Sequence, residues 1–152
     1  MSTLDTLRAY QENYLRIYKQ SYKRYIHQEV NFKYKLNGVL GARGIGKSTF
    51  LLQYFEEVEI AYSKKLYLSA DAIDVTDSLF DIAYQFNKEG GKLLIIDEIH
   101  KYIHFEKELK KMYDMLELKV IFSGSSALKL DNSQGDLSRR ATLYSMKGLS
   151  FR

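Results

Sequence analysis

The chain has 152 residues, of which 45% are hydrophobic, and its formal net charge is +4 at pH 7. This length fits one domain with a buried core, and the absence of cysteine excludes a disulfide framework and a thiolate metal site. No apolar run reaches the roughly 20 residues of a membrane helix and no N-terminal stretch resembles a signal peptide, so we expect a cytoplasmic domain without a membrane partner.

A long N-terminal helix is predicted from Thr3 to Gln28, a segment without glycine. Apolar and tyrosine residues recur there at helical steps and form one face, made of Leu4, Leu7, Tyr14, Tyr18, Tyr22 and Tyr25. Interleaved basic residues could let this face bind nucleic acid, but we favour packing on the core or on a neighbouring domain. We therefore divide the chain into a helical segment, residues 1–30, and a core, residues 31–152.

From Tyr34 onward, short apolar runs alternate with helical stretches of about 10 to 15 residues. This alternation predicts an α/β fold in three layers, with a mostly parallel five-stranded sheet between helices. The predicted strands are 35–40, 65–68, 93–96, 120–122 and 142–146, and the predicted helices are 47–58, 76–86 and 105–116. Thr76 is the predicted cap of its helix, and Gly90-Gly91 turns the chain into the next strand. Asn37-Gly38 is a poor strand sequence and predicts a short or irregular first strand.

The segment after the first strand fits the phosphate-loop (Walker A) pattern G-x-x-x-x-G-K-[ST] at every fixed position. It consists of Gly41, Ala42, Arg43, Gly44, Ile45, Gly46, Lys47, Ser48 and Thr49. Backbone N–H groups of such a turn can wrap a β-phosphate, and the N-terminus of the next helix adds a positive dipole end. Lys47 would then reach the β- and γ-phosphates and Ser48 would coordinate Mg²⁺. The alternative is a glycine-rich turn with an exposed lysine, but the flanking strand and helix favour nucleotide binding.

Two carboxylates, Asp97 and Glu98, end the apolar run that starts at Leu93, and Asp97 lies 50 residues after Lys47. Parallel strands end at the same edge of a sheet, so we expect Asp97 to face the Mg²⁺ held by Ser48, as a Walker B aspartate does. Glu98 would orient or deprotonate the attacking water. Acidic pairs at strand ends are commonly solvated turn residues, so the phosphate loop is what favours the catalytic interpretation.

Polar side chains also end the next strand, at Ser123-Gly124-Ser125-Ser126. Ser123 or Ser125 could hydrogen-bond the γ-phosphate or the attacking water; a serine-rich turn that caps a helix at 127–130 explains the pattern equally well. Farther on, Arg139 and Arg140 are candidates for an arginine delivered in trans by a homo-oligomer, which can raise turnover by roughly 10³ to 10⁵ fold. Exposed arginines are more often simply solvated.

Together these motifs resemble a group of prokaryotic AAA+-superfamily proteins, mostly uncharacterised predicted ATPases. Their P-loop domain carries G-x-R-x-x-G-K-[ST]-[ST], D-E-[IV]-[HQ]-[KN], [TS]-G-S-S and a small residue before an arginine, and this chain matches them at 41–49, 97–101, 123–126 and 138–139. The resemblance runs from Leu36 to Arg152. It implies that Lys47 and Ser48 bind phosphate and Mg²⁺, that Asp97 and Glu98 serve metal and water, and that Ser125 lies near a sensor position. It also implies an N-terminal ATPase fragment, since a second, C-terminal domain follows in the family.

The favoured function is therefore an ATP-binding domain that hydrolyses ATP with Mg²⁺, with weak turnover when isolated. Two alternatives stay open. The first is a nucleotide-gated interaction switch with slow turnover. The second is a superfamily 2 helicase-like fragment, because Asp97-Glu98-Ile99-His100 also spells that class's D-E-x-H motif. A GTPase is disfavoured, since Asn87-Lys88-Glu89-Gly90 lacks the final aspartate of N-K-x-D.

Overall fold

The computed structural model describes residues 3–20, 32–41, 46–72, 78–125 and 139–145. Its centre is a sheet of five strands that pair in parallel in the spatial order β2-β3-β4-β1-β5. The strands are β1 (Leu36–Gly41), β2 (Lys65–Ser69), β3 (Leu93–Asp97), β4 (Lys119–Ser125) and β5 (Thr142–Ser145). The helices are α1 (Thr3–Gln20), α2 (Lys47–Glu57), α3 (Leu79–Lys88) and α4 (Phe105–Met115). The predicted fold class is thereby confirmed.

Two apolar clusters cover the two faces of the sheet. One cluster joins α3 and α4 to the sheet, with Leu79, Leu109 and Phe122 at its centre, and the other joins α2 to the opposite face through Leu51 and Phe55. All of these side chains are almost fully buried, so each helix contributes an apolar face to a layer, as parallel sheets require. Within the described residues, no helix is long and apolar enough to cross a membrane.

The predicted helix and strand positions largely agree with the structure, but the predicted start of α3 was wrong. The predicted cap, Thr76, lies outside the described residues, and α3 begins only at Leu79. Its N-cap is Ser78, whose hydroxyl accepts the backbone N–H of Asp81 at 3.3 Å. Thr76 and Ser78 both carry a hydroxyl that suits an N-cap. Ser78 is the cap because its hydroxyl is the one that accepts an N–H of the first turn. Gly90 has a φ of 100° and turns the chain toward β3 as predicted.

The first strand is regular, so the prediction of a short or irregular β1 was wrong. β1 keeps a continuous parallel register with both β4 and β5. The Asn37 amide is buried and donates to the carbonyl of Tyr34 at 2.7 Å. At Gly38, a Cβ would lie only 2.6 Å from the ring of Phe122 and 2.7 Å from Leu143. The glycine is there because two neighbouring side chains pack directly on its backbone, and this packing overrides its low strand propensity.

Helix α1 covers the outer edge of β2, which is the last strand on that side of the sheet. The guanidinium of Arg8 donates to the carbonyl of Lys65 at 2.7 Å, and the side-chain carbonyl of Gln11 accepts the backbone N–H of Tyr67 at 2.9 Å. One turn farther on, the ring of Tyr14 meets that of Tyr67 edge-on, with centroids 5.4 Å apart. Residues three apart lie on one helical face. Helix α1 therefore hydrogen-bonds backbone groups at the edge of β2 that an additional strand would otherwise pair.

The same helix contributes to both cores, with buried Leu7 in one cluster and buried Leu15 in the other. The predicted packing of the apolar α1 face on the core is confirmed for Leu7, and Leu4 and Tyr14 of that face are partly buried against the clusters, whereas Leu15 was not part of the predicted face. The part of the predicted helix from 21 to 28, with Tyr22 and Tyr25, lies outside the described residues.

Candidate functional site

The carboxyl ends of β1, β3 and β4 lie side by side, because these strands are neighbours and run in the same direction. Gly41, the last residue of β1, is in register with Ser125, the last residue of β4. Asp97 ends β3 on the other side of β4. Helix α2 starts at this rim, where its N-cap Gly46 takes the left-handed conformation at φ 90°. The predicted phosphate-loop residues Ala42, Arg43, Gly44 and Ile45 lie outside the described residues, between these two ends.

The first turn of α2 contacts the end of β3. The Ser48 hydroxyl donates to Oδ2 of Asp97, and the Lys47 ammonium donates to the carbonyl of Gly41 at 2.7 Å. Burial lowers the pKa of Lys47, against the opposing negative charges of Asp97 and Glu98. Thr49 follows in the same turn and is half-buried. The structure thus brings Lys47, Ser48 and Asp97 to one place, as the spacing predicted.

The Asp97 carboxylate is buried and accepts four hydrogen bonds from the part of the chain that the structure describes. Its Oδ2 accepts from Ser48 and, at 2.5 Å, from the hydroxyl of Tyr67, while Oδ1 accepts from the Ser123 hydroxyl and, at 3.1 Å, from the backbone N–H of Glu98. Removing a carboxylate from water is costly unless such donors replace the lost hydration. Tyr67 lies in β2, Ser123 in β4, Glu98 directly after β3 and Ser48 in α2, so donors from four elements fix the orientation of the carboxyl group.

Ser123 links β4 to the end of β3 by hydrogen bonds. It is fully buried, donates to Asp97 and accepts the backbone N–H of Glu98 at 2.9 Å. Because its single proton is used on Asp97, Ser123 does not offer a donor to a phosphate in this arrangement. Ser125, half-buried at the end of β4, is the serine of this strand that lies at the rim beside Gly41. Ser126 and the segment 127–130 lie outside the described residues.

Glu98 has an unusual backbone conformation. Its φ of 55° and ψ of 50° are left-handed, and it is the only described residue other than glycine with a positive φ. This turn points its N–H back to Ser123 and Asp97 and ends the strand abruptly. A side-chain hydrogen bond with Asp71 is the main cause that raises the pKa of Glu98, followed by burial and by the charges of Asp71 and Asp97.

Sequence reasoning missed two residues of this site, Asp71 and Tyr67. Asp71 lies in the 3₁₀ turn after β2, so it ends a strand at the same edge as Asp97. Tyr67 lies opposite Ile95 in the sheet register, two residues before the partner of Asp97, and therefore shares its face. Burial, and then the charge of Asp97, raises the pKa of Tyr67 well above its usual range. A tyrosine between two leucines of the predicted strand was the available signal for Tyr67.

The structure does not bring Arg139 and Arg140 to this rim. They precede β5, whose first residue pairs with Asn37 near the beginning of β1, whereas the phosphate loop follows the end of β1. Arg140 forms an ion pair with Asp114 at 2.8 Å, near the C-terminal end of α4. Both arginines therefore lie at the amino edge of the sheet, opposite the candidate site.

Comparisons with known proteins show which family the sequence matches. Residues 33–152 match a family model described as an AAA domain. The uncharacterized protein MJ1637 of Methanocaldococcus jannaschii is 34% identical over 146 residues, which cover 90% of this chain and 30% of that protein. The chain thus spans less than a third of the length of this relative.

Solved structures of two other proteins are similar at low sequence identity. PCH-2 of C. elegans matches with 18% identity and a TM-score of 0.47, over 90% of this chain and 41% of that one. AMPPCP-bound DnaA from Aquifex aeolicus matches with 16% identity and a TM-score of 0.47, over 86% of this chain and 44% of that one.

The family match includes the phosphate loop, the Asp97-Glu98 pair and the polar end of β4. The sequence resemblance to AAA-type proteins is thereby confirmed, and the chain belongs to the AAA domain family, as an AAA-type P-loop ATPase domain.

Proposed function

We propose that this domain binds ATP together with Mg²⁺ and hydrolyses it by attack of a water that Glu98 orients. The observation that carries the proposal is the hydrogen bond from the Ser48 hydroxyl to Oδ2 of Asp97. It joins the helix that follows the phosphate loop to the acidic strand end, two features that are otherwise 49 residues apart in the chain.

The oxygens at this contact suit Mg²⁺. Mg²⁺ prefers oxygen ligands and is commonly bound by one or two protein groups together with substrate phosphates and waters. A serine hydroxyl has one proton and two lone pairs, so Ser48 can keep its proton on Asp97 and still present a lone pair to the metal. When bound, Mg²⁺ neutralises part of the phosphate charge that develops during transfer.

Lys47 and the N-terminus of α2 account for phosphate binding. The backbone N–H groups of the first turn and the positive dipole end attract an anion, and Gly46, the N-cap of the helix, takes the left-handed conformation. The Lys47 ammonium, held at Gly41, adds a full positive charge at the mouth of the loop. In this proposal Ala42, Arg43, Gly44, Ile45 and Thr49 complete the loop around the phosphates.

Glu98 is the proposed water-orienting group. A general base must lie beside the reacting centre, and Glu98 directly follows the metal-side Asp97 in the chain. Its backbone N–H is fixed by Ser123, so the backbone from which the carboxylate extends is set by the strand ends. Ser125 is the proposed sensor of the γ-phosphate.

Two substitutions test the assignment. Lys47→Ala should abolish ATP binding in equilibrium measurements with a fluorescent ATP analogue, while Lys64→Ala, at an exposed lysine in the 3₁₀ turn before β2, should bind normally. Glu98→Gln should bind ATP and fail to release phosphate, while Glu57→Gln, at an exposed glutamate, should hydrolyse at the unaltered rate. Tight ATP binding by Lys47→Ala would remove the main support for the proposal.

A second candidate is a nucleotide-gated switch that turns over slowly. It is favoured by the position of Arg139 and Arg140, which could act only on a nucleotide held by another copy of the chain. If a homo-oligomer supplies the arginine, the hydrolysis rate per subunit should rise with protein concentration. ATP binding with no phosphate release at any concentration would instead support the switch.

A further inference from the structure

The hydrogen bond between Tyr67 and Asp97 is built into the interior of the domain. The two side chains are 2% and 3% exposed, and the hydroxyl oxygen lies 2.5 Å from Oδ2. A hydrogen bond to a carboxylate is stronger than one between two neutral groups. The bond ends on Oδ2, the same oxygen that accepts the proton of Ser48.

Tyr67 is itself held from both its backbone and its ring. The Gln11 side chain accepts its N–H at 2.9 Å, and the ring of Tyr14 lies against its ring at 5.4 Å between centroids. Burial raises the pKa of Tyr14, and a hydrogen bond from Ser69, two residues after Tyr67 in β2, opposes that rise. These contacts come from α1, which precedes the first residue of the AAA family match, residue 33.

A carboxylate that serves a metal needs a fixed orientation, and outer hydrogen bonds commonly provide it. At Oδ1, two donors fix the orientation of the carboxylate: the backbone N–H of Glu98 and the hydroxyl of Ser123 in β4. On the side of Oδ2, the described donors are Ser48, which lies at the exposed rim, and Tyr67, which lies within the protein core.

We infer that Tyr67 is a positioning residue for Asp97, and that helix α1 is part of the nucleotide site because it holds Tyr67 in place. The inference rests on the proposed function, in which Asp97 serves the metal. It assigns a role to a residue outside the phosphate loop and the acidic strand end, and it makes α1 a support of the metal side rather than a separate appendage.

The test separates metal-dependent from metal-independent binding in the full chain. ATP affinity is measured by titration calorimetry in EDTA and then across a Mg²⁺ titration, for the wild type and for Tyr67→Phe. We expect unchanged affinity in EDTA and a Mg²⁺ half-saturation that rises roughly 10- to 100-fold, the usual effect of losing an outer-shell partner. A general loss of structure would instead weaken binding in EDTA as well.

The matched control is Tyr62→Phe. The Tyr62 hydroxyl donates to the Glu12 carboxylate at 2.6 Å, so this variant also removes a tyrosine–carboxylate hydrogen bond, here between α1 and the exposed 3₁₀ turn before β2, without touching Asp97. It should show the wild-type Mg²⁺ dependence. Tyr14→Leu, which keeps the phenol of Tyr67 and removes its ring support, should shift the Mg²⁺ dependence in the same direction by a smaller factor.

The possible results separate the proposed function from the inference about Tyr67 and α1. If the wild type binds ATP without any response to Mg²⁺, the proposed function and this inference both fall. If the wild type responds and Tyr67→Phe responds identically, the inference is overturned and the proposed function stands. If Tyr67→Phe shifts while Tyr14→Leu matches the wild type, Tyr67 keeps its role and the role of α1 is refuted.

Discussion

Replacing Glu98 with glycine is expected to stabilise the fold while stopping hydrolysis. At φ 55° and ψ 50°, the side chain of an L-residue crowds the following carbonyl, which costs about 1 to 2 kcal/mol. Glycine avoids this cost but gains freedom in the unfolded chain, which returns part of the benefit. We therefore expect Glu98→Gly to raise the free energy of unfolding by about 1 kcal/mol. For a chain of this size that corresponds to a rise of roughly 2 to 4 °C in Tm.

Glu98→Gln separates the backbone from the charge. It keeps the strained conformation and removes only the negative charge beside Asp71 and Asp97, so its stability should change by a few tenths of a kcal/mol at most. Both variants should fail to release phosphate from ATP. The comparison therefore distinguishes a backbone cost from an electrostatic one.

Urea unfolding followed by circular dichroism measures the free energies, with phosphate release measured on the same preparations. Gly90→Ala is the control of opposite sign, because Gly90 also has a positive φ, 100°, and an added Cβ would meet nothing within 4 Å. It should lose about 1 kcal/mol for conformational reasons alone. If Glu98→Gly unfolds at lower urea than Glu98→Gln, the argument from backbone strain is refuted.

Three other substitutions test the fold and the site. Gly38→Ala should lower the free energy of unfolding in urea titrations by about 1 to 3 kcal/mol, because its methyl group would overlap the ring of Phe122. Adding Phe122→Leu to the same chain should restore part of the loss. Equal stability of Gly38→Ala and wild type would contradict this packing. Glu108→Ala should cost about 1 to 3 kcal/mol in the same titrations, because it leaves the hydroxyl of Tyr102, 2.6 Å away, without its acceptor; a neutral result would mean that water replaces the carboxylate. Arg139→Ala should lower the hydrolysis rate only at protein concentrations where the wild-type rate per subunit increases, and a loss at every concentration would argue against action in trans.

The main architecture and the centre of the site could be predicted because they depend on local patterns. The phosphate loop places Lys47 and Ser48 at a helix start, and a buried run ending in Asp97 places a carboxylate at a strand end. A parallel sheet then brings both to one edge, whatever the details of packing. Neither prediction needed the register of the sheet.

The parts that could not be predicted depend on register and on tertiary contact. Tyr67 reaches Asp97 only because Ser69 pairs with Asp97 in the sheet, which sequence does not reveal. The role of Ser123 as a brace rather than a phosphate ligand depends on the same alignment of β3 and β4. Gly38 was misjudged because propensity describes an isolated strand, whereas here the rings and methyl groups of neighbouring strands occupy the space of its missing side chain.

The way α1 covers β2 also bears on where the independent folding unit begins. A chain cut at residue 33, where the AAA family match starts, would lose the groups that Arg8 and Gln11 supply to β2. The outermost strand would then present bare amide and carbonyl groups next to apolar surface that Leu7 and Leu15 normally shield. Such an edge is a template for joining strands from separate molecules, so the shortened domain would be prone to aggregation even with every nucleotide-binding motif intact.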